Sequence, residues 1–348
     1  MCGNEAIGEA AIQANCRYYF GYPITPQNEL TAYMAGRLPE VGGVFLQSES
    51  EIAAINMVYG AAAAGMRAMT SSSSPGISLK QEGISYLAGA ELPAVIINIM
   101  RGGPGLGNIA PAQADYFQAT RGGGHGDYRT IVLAPSKVQE MMDLTRLAFD
   151  LADKYRNPVI LLGDGLLGQM MEPVEFKVES LKLKGKGKKT STNKKPWALT
   201  GAKGRPRNLL RSLYLGTLEQ HNQHLQEKYK KISRKEVRYE AISLKDAEIV
   251  LIAYGTSARI SKAALAKARK EGLKVGMLRP ITLWPFPSDI VAGIAGRAKA
   301  LLTVEMSAGQ MVEDVKLAGE GKCPVHFYGR MGGGVPTAEE ILAEIRKI

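Results

Sequence analysis

The amino-acid sequence predicts an α/β protein made of two parallel-sheet domains joined by a charged connection. Three observations carry that expectation. Short apolar runs alternate with segments of helical periodicity over residues 1–170 and again over 243–348, the pattern of parallel strands covered on both faces by helices. The intervening stretch, 171–242, loses the alternation and is dense in charge. The length of 348 residues, 45% of them hydrophobic, is enough for two sizeable cores.

In the first domain, β-type runs fall at 19–22, 44–46, 66–71, 94–100, 130–133 and 159–162. Helices are predicted over 52–64 and 138–154; in the second, Met141, Leu144, Leu147, Ala148 and Leu151 recur at i, i+3 and i+4. In the connection, 185–189 and 203–207 are too charged and too poor in apolar residues to pack, which reads as a linker or exposed insertion. A charged helix over 218–235 follows. Strands at 247–254, 275–278, 300–304 and 325–328, with helices over 257–271 and 310–317, make the second, smaller domain.

Composition narrows the function. No stretch approaches the ~20 uninterrupted apolar residues that cross a bilayer. The opening Met1-Cys2-Gly3-Asn4-Glu5 lacks the basic and apolar regions of a signal peptide, so a cytoplasmic protein is expected. The three cysteines, Cys2, Cys16 and Cys323, form no CxxC pair and encode neither a disulfide framework nor a zinc site. An iron–sulfur cluster needs about four thiolates, so any electron transfer must continue in another polypeptide. The net charge of +11 equals the eleven Lys and Arg residues of 182–211, a window without Asp or Glu. The rest of the chain is formally balanced. That segment is either a solvated appendage or a patch that steers an acidic carrier. A nucleic-acid-binding function is the reading from another class, but the segment offers only Trp197 for base stacking.

Three segments carry chemistry. In Gln47-Ser48-Glu49-Ser50-Glu51, an acidic side chain leaves a strand and starts an apolar helix that reaches Gly60 nine residues after Glu51. Its carboxylate would lie near the positive end of the helix dipole, and the small residues would let a flat ligand approach; an ordinary helix-start charge is the plain alternative. In Gly21-Tyr22-Pro23-Ile24-Thr25-Pro26, two prolines hold one hydroxyl in a stiff loop at a strand's carboxyl end, where open α/β sheets bind ligands. In Arg101-Gly102-Gly103-Pro104, a guanidinium at a strand end can grip a carboxylate with two bonds. Gly163-Asp164-Gly165 with Asn193 after 27 intervening residues mimics a magnesium–diphosphate motif, but Asn193 lies among lysines and no metal site is expected in this chain.

Together these segments resemble the alpha-type, pyrimidine-domain subunit of 2-oxoacid:ferredoxin oxidoreductases. The resemblance extends to Gly3-Asn4-Glu5-Ala6, Ser73 to Leu79 with Gln81-Glu82-Gly83, Arg279 to Pro287, Glu305-Met306-Ser307 and Gly332-Gly333-Gly334, and covers nearly the whole chain apart from the basic insertion. It implies a thiamine-diphosphate pyrimidine-type fold at 1–170, a linker at 171–242 and a transketolase C-terminal-like domain at 243–348. It further implies that Glu51, with Glu49 as runner-up, faces N1′ of the aminopyrimidine and so activates the thiazolium for attack on a ketone. The nine-residue interval to Gly60 favours Glu51. By the same matching, Tyr22, Pro23, Ile24 and Ser74 border the cofactor, and Thr25, Pro26 and Arg101 hold the substrate. His125, in a glycine-rich loop, is either solvated or borders that pocket.

The implied reaction is oxidative decarboxylation of a 2-oxoacid to acyl-coenzyme A and CO2, with ferredoxin as acceptor. The chain would be inactive without its partners: a beta-type subunit holding diphosphate, Mg2+ and a [4Fe-4S] cluster, a gamma-type subunit and a ferredoxin-like subunit. Arg17-Tyr18-Tyr19-Phe20 resembles the branched-chain, 2-oxoisovalerate group, with a 2-oxoglutarate enzyme as alternative. A cation at the far end of the pocket would favour oxoglutarate, an apolar end a branched acid. A binding module that kept the fold and lost its chemistry is disfavoured by Glu51, Thr25 and Arg101 occurring together.

Overall fold

Two of the longest apolar runs become strands with no solvent side, as expected where helices cover both faces of a sheet. All seven residues of Ala94–Met100 and all seven of Pro158–Asp164 are buried. The computed structural model describes residues 1–176, 195–204 and 206–348. In chain order the first half runs α1 (Gly3–Gln13), β1 (Tyr18–Gly21), α2 (Asn28–Glu40), β2 (Val44–Gln47), α3 (Glu51–Ala63), β3 (Ala68–Ser72), α4 (Ser74–Gly89) and β4 (Ala94–Met100). It continues with α5 (Tyr116–Arg121), β5 (Ile131–Leu133), α6 (Val138–Tyr155), β6 (Pro158–Asp164), α7 (Gly165–Gln169) and α8 (Leu218–Lys235). The second half runs β7 (Tyr239–Ile242), β8 (Ile249–Ile252), α9 (Gly255–Lys270), β9 (Val275–Pro280), β10 (Thr282–Trp284) and α10 (Ser288–Ala295). It closes with β11 (Ala300–Glu305), α11 (Met311–Gly319), β12 (Val325–Gly329) and α12 (Ala338–Ile345).

The strands form a seven-stranded sheet, β10-β5-β6-β4-β3-β1-β2, and a five-stranded one, β12-β11-β8-β9-β7. Pairings are parallel except at two edges, where β10 runs against β5 and β7 against β9. On β4, Val95, Ile97 and Ile99 face the core under α1, α2, α6 and α8. Ile96 and Met100 face the core under α3 and α4, which continues without a break into the second sheet through Val250, Ile252 and Leu278. A separate core, with Leu251, Ala264 and Ile341, covers the outer face of the smaller sheet. Among the described residues no helix is long and apolar enough to cross a membrane.

Three features depart from the expected layout. Thr282–Trp284 leaves the second half of the chain to become the edge strand of the first sheet. Tyr239–Ile242, expected in the linker, pairs with β9. The charged helix α8 packs rather than bridges: Leu225, Tyr229 and Ile232, spaced four and three residues apart, enter the core of the first sheet. Residues 185–189 lie outside the described residues, while Lys203, Gly204, Pro206 and Arg207 are exposed. The basic segment's Trp197 packs on the first core beneath the Arg156 guanidinium, 4.6 Å from its ring centroid, and Lys195 pairs with Asp153 at 2.6 Å.

Polar groups also join the sheets. The Gln113 side chain donates to the Tyr254 carbonyl (2.9 Å) and accepts from Ser257 Oγ (2.7 Å) and Met306 N (2.9 Å). Arg279, 2% exposed, holds Glu140 with two bonds (2.7 and 2.9 Å) and Glu240 with a third (2.7 Å).

Candidate active site

Parallel pairing sets the carboxyl ends of β2, β1, β3 and β4 side by side, so the loops that follow them converge. The Tyr22–Gln27 loop is fixed from beneath. Asn4 donates to the Pro26 carbonyl (2.8 Å) and to Glu29 (2.7 Å), which explains the opening Gly3-Asn4-Glu5. The buried Gln27 accepts from the Ser71 hydroxyl (2.5 Å), itself bonded to the Tyr19 hydroxyl (2.6 Å). Above this layer Tyr22 and Pro23 are exposed, Ile24 and Thr25 half-buried, and Pro26 buried.

At the end of β2, Ser50 caps α3 by accepting from Ala53 N. The two candidate carboxylates then part. Glu49 is exposed, whereas Glu51, the first residue of α3, is 6% exposed. Glu51 Oε1 lies against Gly76 in the first turn of α4: a Cβ there would stand 2.5 Å from it and 2.0 Å from Ser72 Oγ. The absence of a side chain at Gly76 is therefore what lets the carboxylate enter.

At the end of β4 the Arg101 guanidinium donates to the Thr25 carbonyl (2.9 Å) and the Leu106 carbonyl (2.9 Å), which fastens the two predicted substrate loops together. Its Nε is buried without a partner among the described residues. Ser74 Oγ accepts from Arg101 N (3.0 Å) and donates to Asp115 (2.6 Å), to which Asn98 also donates (2.8 Å). Burial raises the Asp115 carboxyl above its ordinary value. A cleft of about 450 Å³ opens here, lined by Ser74, Arg101 and Asp115 on one side and Met306, Ala308 and Met331 on the other. Gly332-Gly333-Gly334 closes one end: Asn108 donates to the Gly332 carbonyl (2.8 Å), and at Gly333 (φ +96°) a Cβ would lie 2.5 Å from that of Ala110.

His125 is not part of this cleft. Gly123 N donates to Gln81 (3.1 Å), which holds the glycine-rich loop further along α4. His125 there lines another cavity, of about 290 Å³, with Tyr86, Tyr128, Tyr214 and His221. Asp164, the centre of the magnesium-like motif, caps α7 by accepting from Leu166 N and Leu167 N and binds Thr256 Oγ1 (2.9 Å) across the sheets. Asn193 lies outside the described residues, among which no group of three His, Cys, Asp or Glu side chains could hold a metal ion. Sequence reasoning missed Asp115 and Met331, because a lone acid or methionine in a loop carries no local signal. It missed Lys80 too, although a lysine inside an apolar helix face is one.

The site suits an aminopyrimidine. A buried carboxylate can face a ring nitrogen, and beside it Ile52 on α3 and Leu79 on α4 stay 50% and 52% exposed, an apolar surface that a ring or a partner would cover.

Residues 9–243 match the family described as pyruvate flavodoxin/ferredoxin oxidoreductase, thiamine diP-bdg, and 247–341 that described as pyruvate:ferredoxin oxidoreductase core domain II. The ketoisovalerate oxidoreductase subunit VorB of Methanothermobacter marburgensis is 54% identical, over 99% of this chain and 96% of that protein. The 2-oxoglutarate synthase subunit KorA of Methanothermobacter thermautotrophicus is 38% identical, over 99% and 97%. Among solved structures, 2-oxoglutarate:ferredoxin oxidoreductase from Magnetococcus marinus, with 2-oxoglutarate, coenzyme A and succinyl-CoA bound, superposes with a TM-score of 0.84 at 27% identity. All of this chain is covered, and it spans 64% of that one. A split-gene transketolase matches at a TM-score of 0.63 and 15% identity over 97% of its length, a likeness of fold alone.

Proposed function

The chain belongs to the 2-oxoacid:ferredoxin oxidoreductase family as a subunit of the alpha type, and we propose that it supplies the carboxylate that activates thiamine diphosphate and the wall that selects a branched-chain 2-oxoacid. Bound thiamine diphosphate supplies a carbon that adds to ketones and accepts the electron pair as CO2 leaves. Glu51 holds a proton at N1′ of the aminopyrimidine from the first turn of α3, where the helix dipole suits a negative charge. Arg101, steadied by the Thr25 and Leu106 carbonyls, has guanidinium hydrogens left for the substrate carboxylate. Thr25 stands half-buried beside it.

The observation that carries the substrate reading is the far wall of the cleft, which has no cation among its described residues. Met306, Ala308 and Met331 line it with the uncharged Ser307 and Gln310, and among the described lining residues only Arg101 and Asp115 are charged. A dicarboxylate would bury its second charge without a cation, at a cost of several kcal/mol, whereas a branched aliphatic chain fits. The higher identity to the ketoisovalerate subunit supports the same choice.

Within the enzyme, a beta-type partner would hold Mg2+, the diphosphate and an iron–sulfur cluster, and gamma-type and ferredoxin-like subunits would complete the assembly. Two electrons would leave singly for ferredoxin as the acyl group passes to coenzyme A. All three cysteines are free thiols, in keeping with a reducing cytoplasm. The test is turnover of the reconstituted complex with a panel of 2-oxoacids, coenzyme A and a viologen. We expect 2-oxoisovalerate to exceed 2-oxoglutarate in kcat/KM by about 100-fold, and Met331→Arg to narrow that ratio. A wild-type complex that prefers 2-oxoglutarate would overturn the substrate assignment.

A further inference from the structure

Lys80 is wholly buried, and nothing in the function above uses it. It lies one helical turn beyond Gly76 on α4, on the face turned to β3. Its Nζ donates to Thr70 Oγ1 (2.8 Å) and to the Ser71 carbonyl (2.9 Å), both uncharged. An ammonium buried on neutral partners is costly, and a methionine would fill the same space without that cost. The one charge acting on it is across the same helical turn: Glu51, whose Oε1 rests on Gly76. Ser72 Oγ, buried and without a partner among the described residues, stands beside Glu51 Oε1 at Gly76.

We propose that Lys80 is a positioning residue of the thiamine site, its anchored ammonium serving as the buried counter-charge that keeps the Glu51 carboxylate turned to the aminopyrimidine. This inference rests on the reading of Glu51 given above. The surrounding elements leave no rival charge on this face: α3 carries only Glu51, and β3 and β4 carry none. On α4 itself Glu82 is exposed and bonded to Tyr86, and in the loop packed on the helix His125 and Asp127 are exposed. Arg101 and Asp115 stand at the end of β4, on the Ser74 side. Burial pushes the Lys80 amine down to about 7, against the pull of Glu51, so the counter-charge is fully present only below that pH.

The test uses the assembled complex and reads affinity for thiamine diphosphate with Mg2+ by titration calorimetry across pH. Lys80→Gln and Lys80→Met remove the charge, and Lys80→Arg keeps it. A carboxylate deprived of a nearby cation takes up its proton at higher pH, so the acidic limb of the affinity profile should move up by about 1 unit in the uncharged variants and stay in place in Lys80→Arg. A limb that does not move in an assembled uncharged variant overturns the proposal and leaves Lys80 as space filling. So does failure of both uncharged variants to assemble while Lys80→Arg assembles, which would assign the charge to folding. If Glu51→Gln leaves the profile unaltered, the reading of Glu51 is what fails.

Discussion

Gly76 decides how closely α4 approaches Glu51. A methyl at this position would meet Ser72 Oγ and Glu51 Oε1 well inside van der Waals distance, so one of them must move. Gly76→Ala should therefore lower stability by about 1–3 kcal/mol and weaken thiamine diphosphate binding, both read on the assembled complex by thermal unfolding and calorimetry. Gly89→Ala, near the end of the same helix with nothing within 4 Å of its Cβ, is the control and should be neutral or mildly stabilising. An equal loss in both variants would show that helix propensity, not the carboxylate pocket, is being read. At this scale the sequence was informative where a residue type is rare in its setting: an acid opening an apolar helix, a threonine between prolines, an arginine before glycines. It was silent on Asp115 and Met331, whose setting is created by other segments. His125 looked functional for its residue type alone, and the Gly123 bond to Gln81 carries its loop away from Arg101.

Elements were legible where their own sequence carries the pattern. The long apolar strands and amphipathic α6, α8 and α9 follow from local pattern, since each buries a face that its own sequence defines. The short edge strands β7 and β10 do not. Their place depends on which sheet edge is open, which local pattern does not state. β10 in particular ties the second half of the chain to the first sheet, with Trp284 edge-on to Tyr229 at 6.0 Å. Arg279, just before β10, reinforces this crossing through Glu140 on α6. Glu140→Ala leaves a buried guanidinium with Glu240 alone, and also removes the acceptor of Ser136 N. It should lower the unfolding midpoint by the equivalent of about 3 kcal/mol. A midpoint unchanged from wild type would show that the two sheets do not depend on that pair.

For the molecule as a whole, composition told more about what is missing than about what is present. Three cysteines fall short of the roughly four thiolates an iron–sulfur cluster takes, and the buried carboxylate is flanked by exposed apolar side chains that a ring or a partner would cover. The excess positive charge suggested nucleic acid as an alternative, yet the single aromatic of that segment is spent on packing against the first sheet. The cleft lies where the two halves meet, with Arg101 from one and Met306 and Met331 from the other, so no single motif could have outlined it.

The central claim is that Glu51 activates the cofactor, and C2 proton exchange of thiamine diphosphate in the assembled complex tests it most directly. Glu51→Gln should slow exchange by about 10²- to 10⁴-fold with assembly intact, while Glu49→Gln exchanges at the wild-type rate. Wild-type exchange in Glu51→Gln, or its loss in Glu49→Gln instead, would contradict the account.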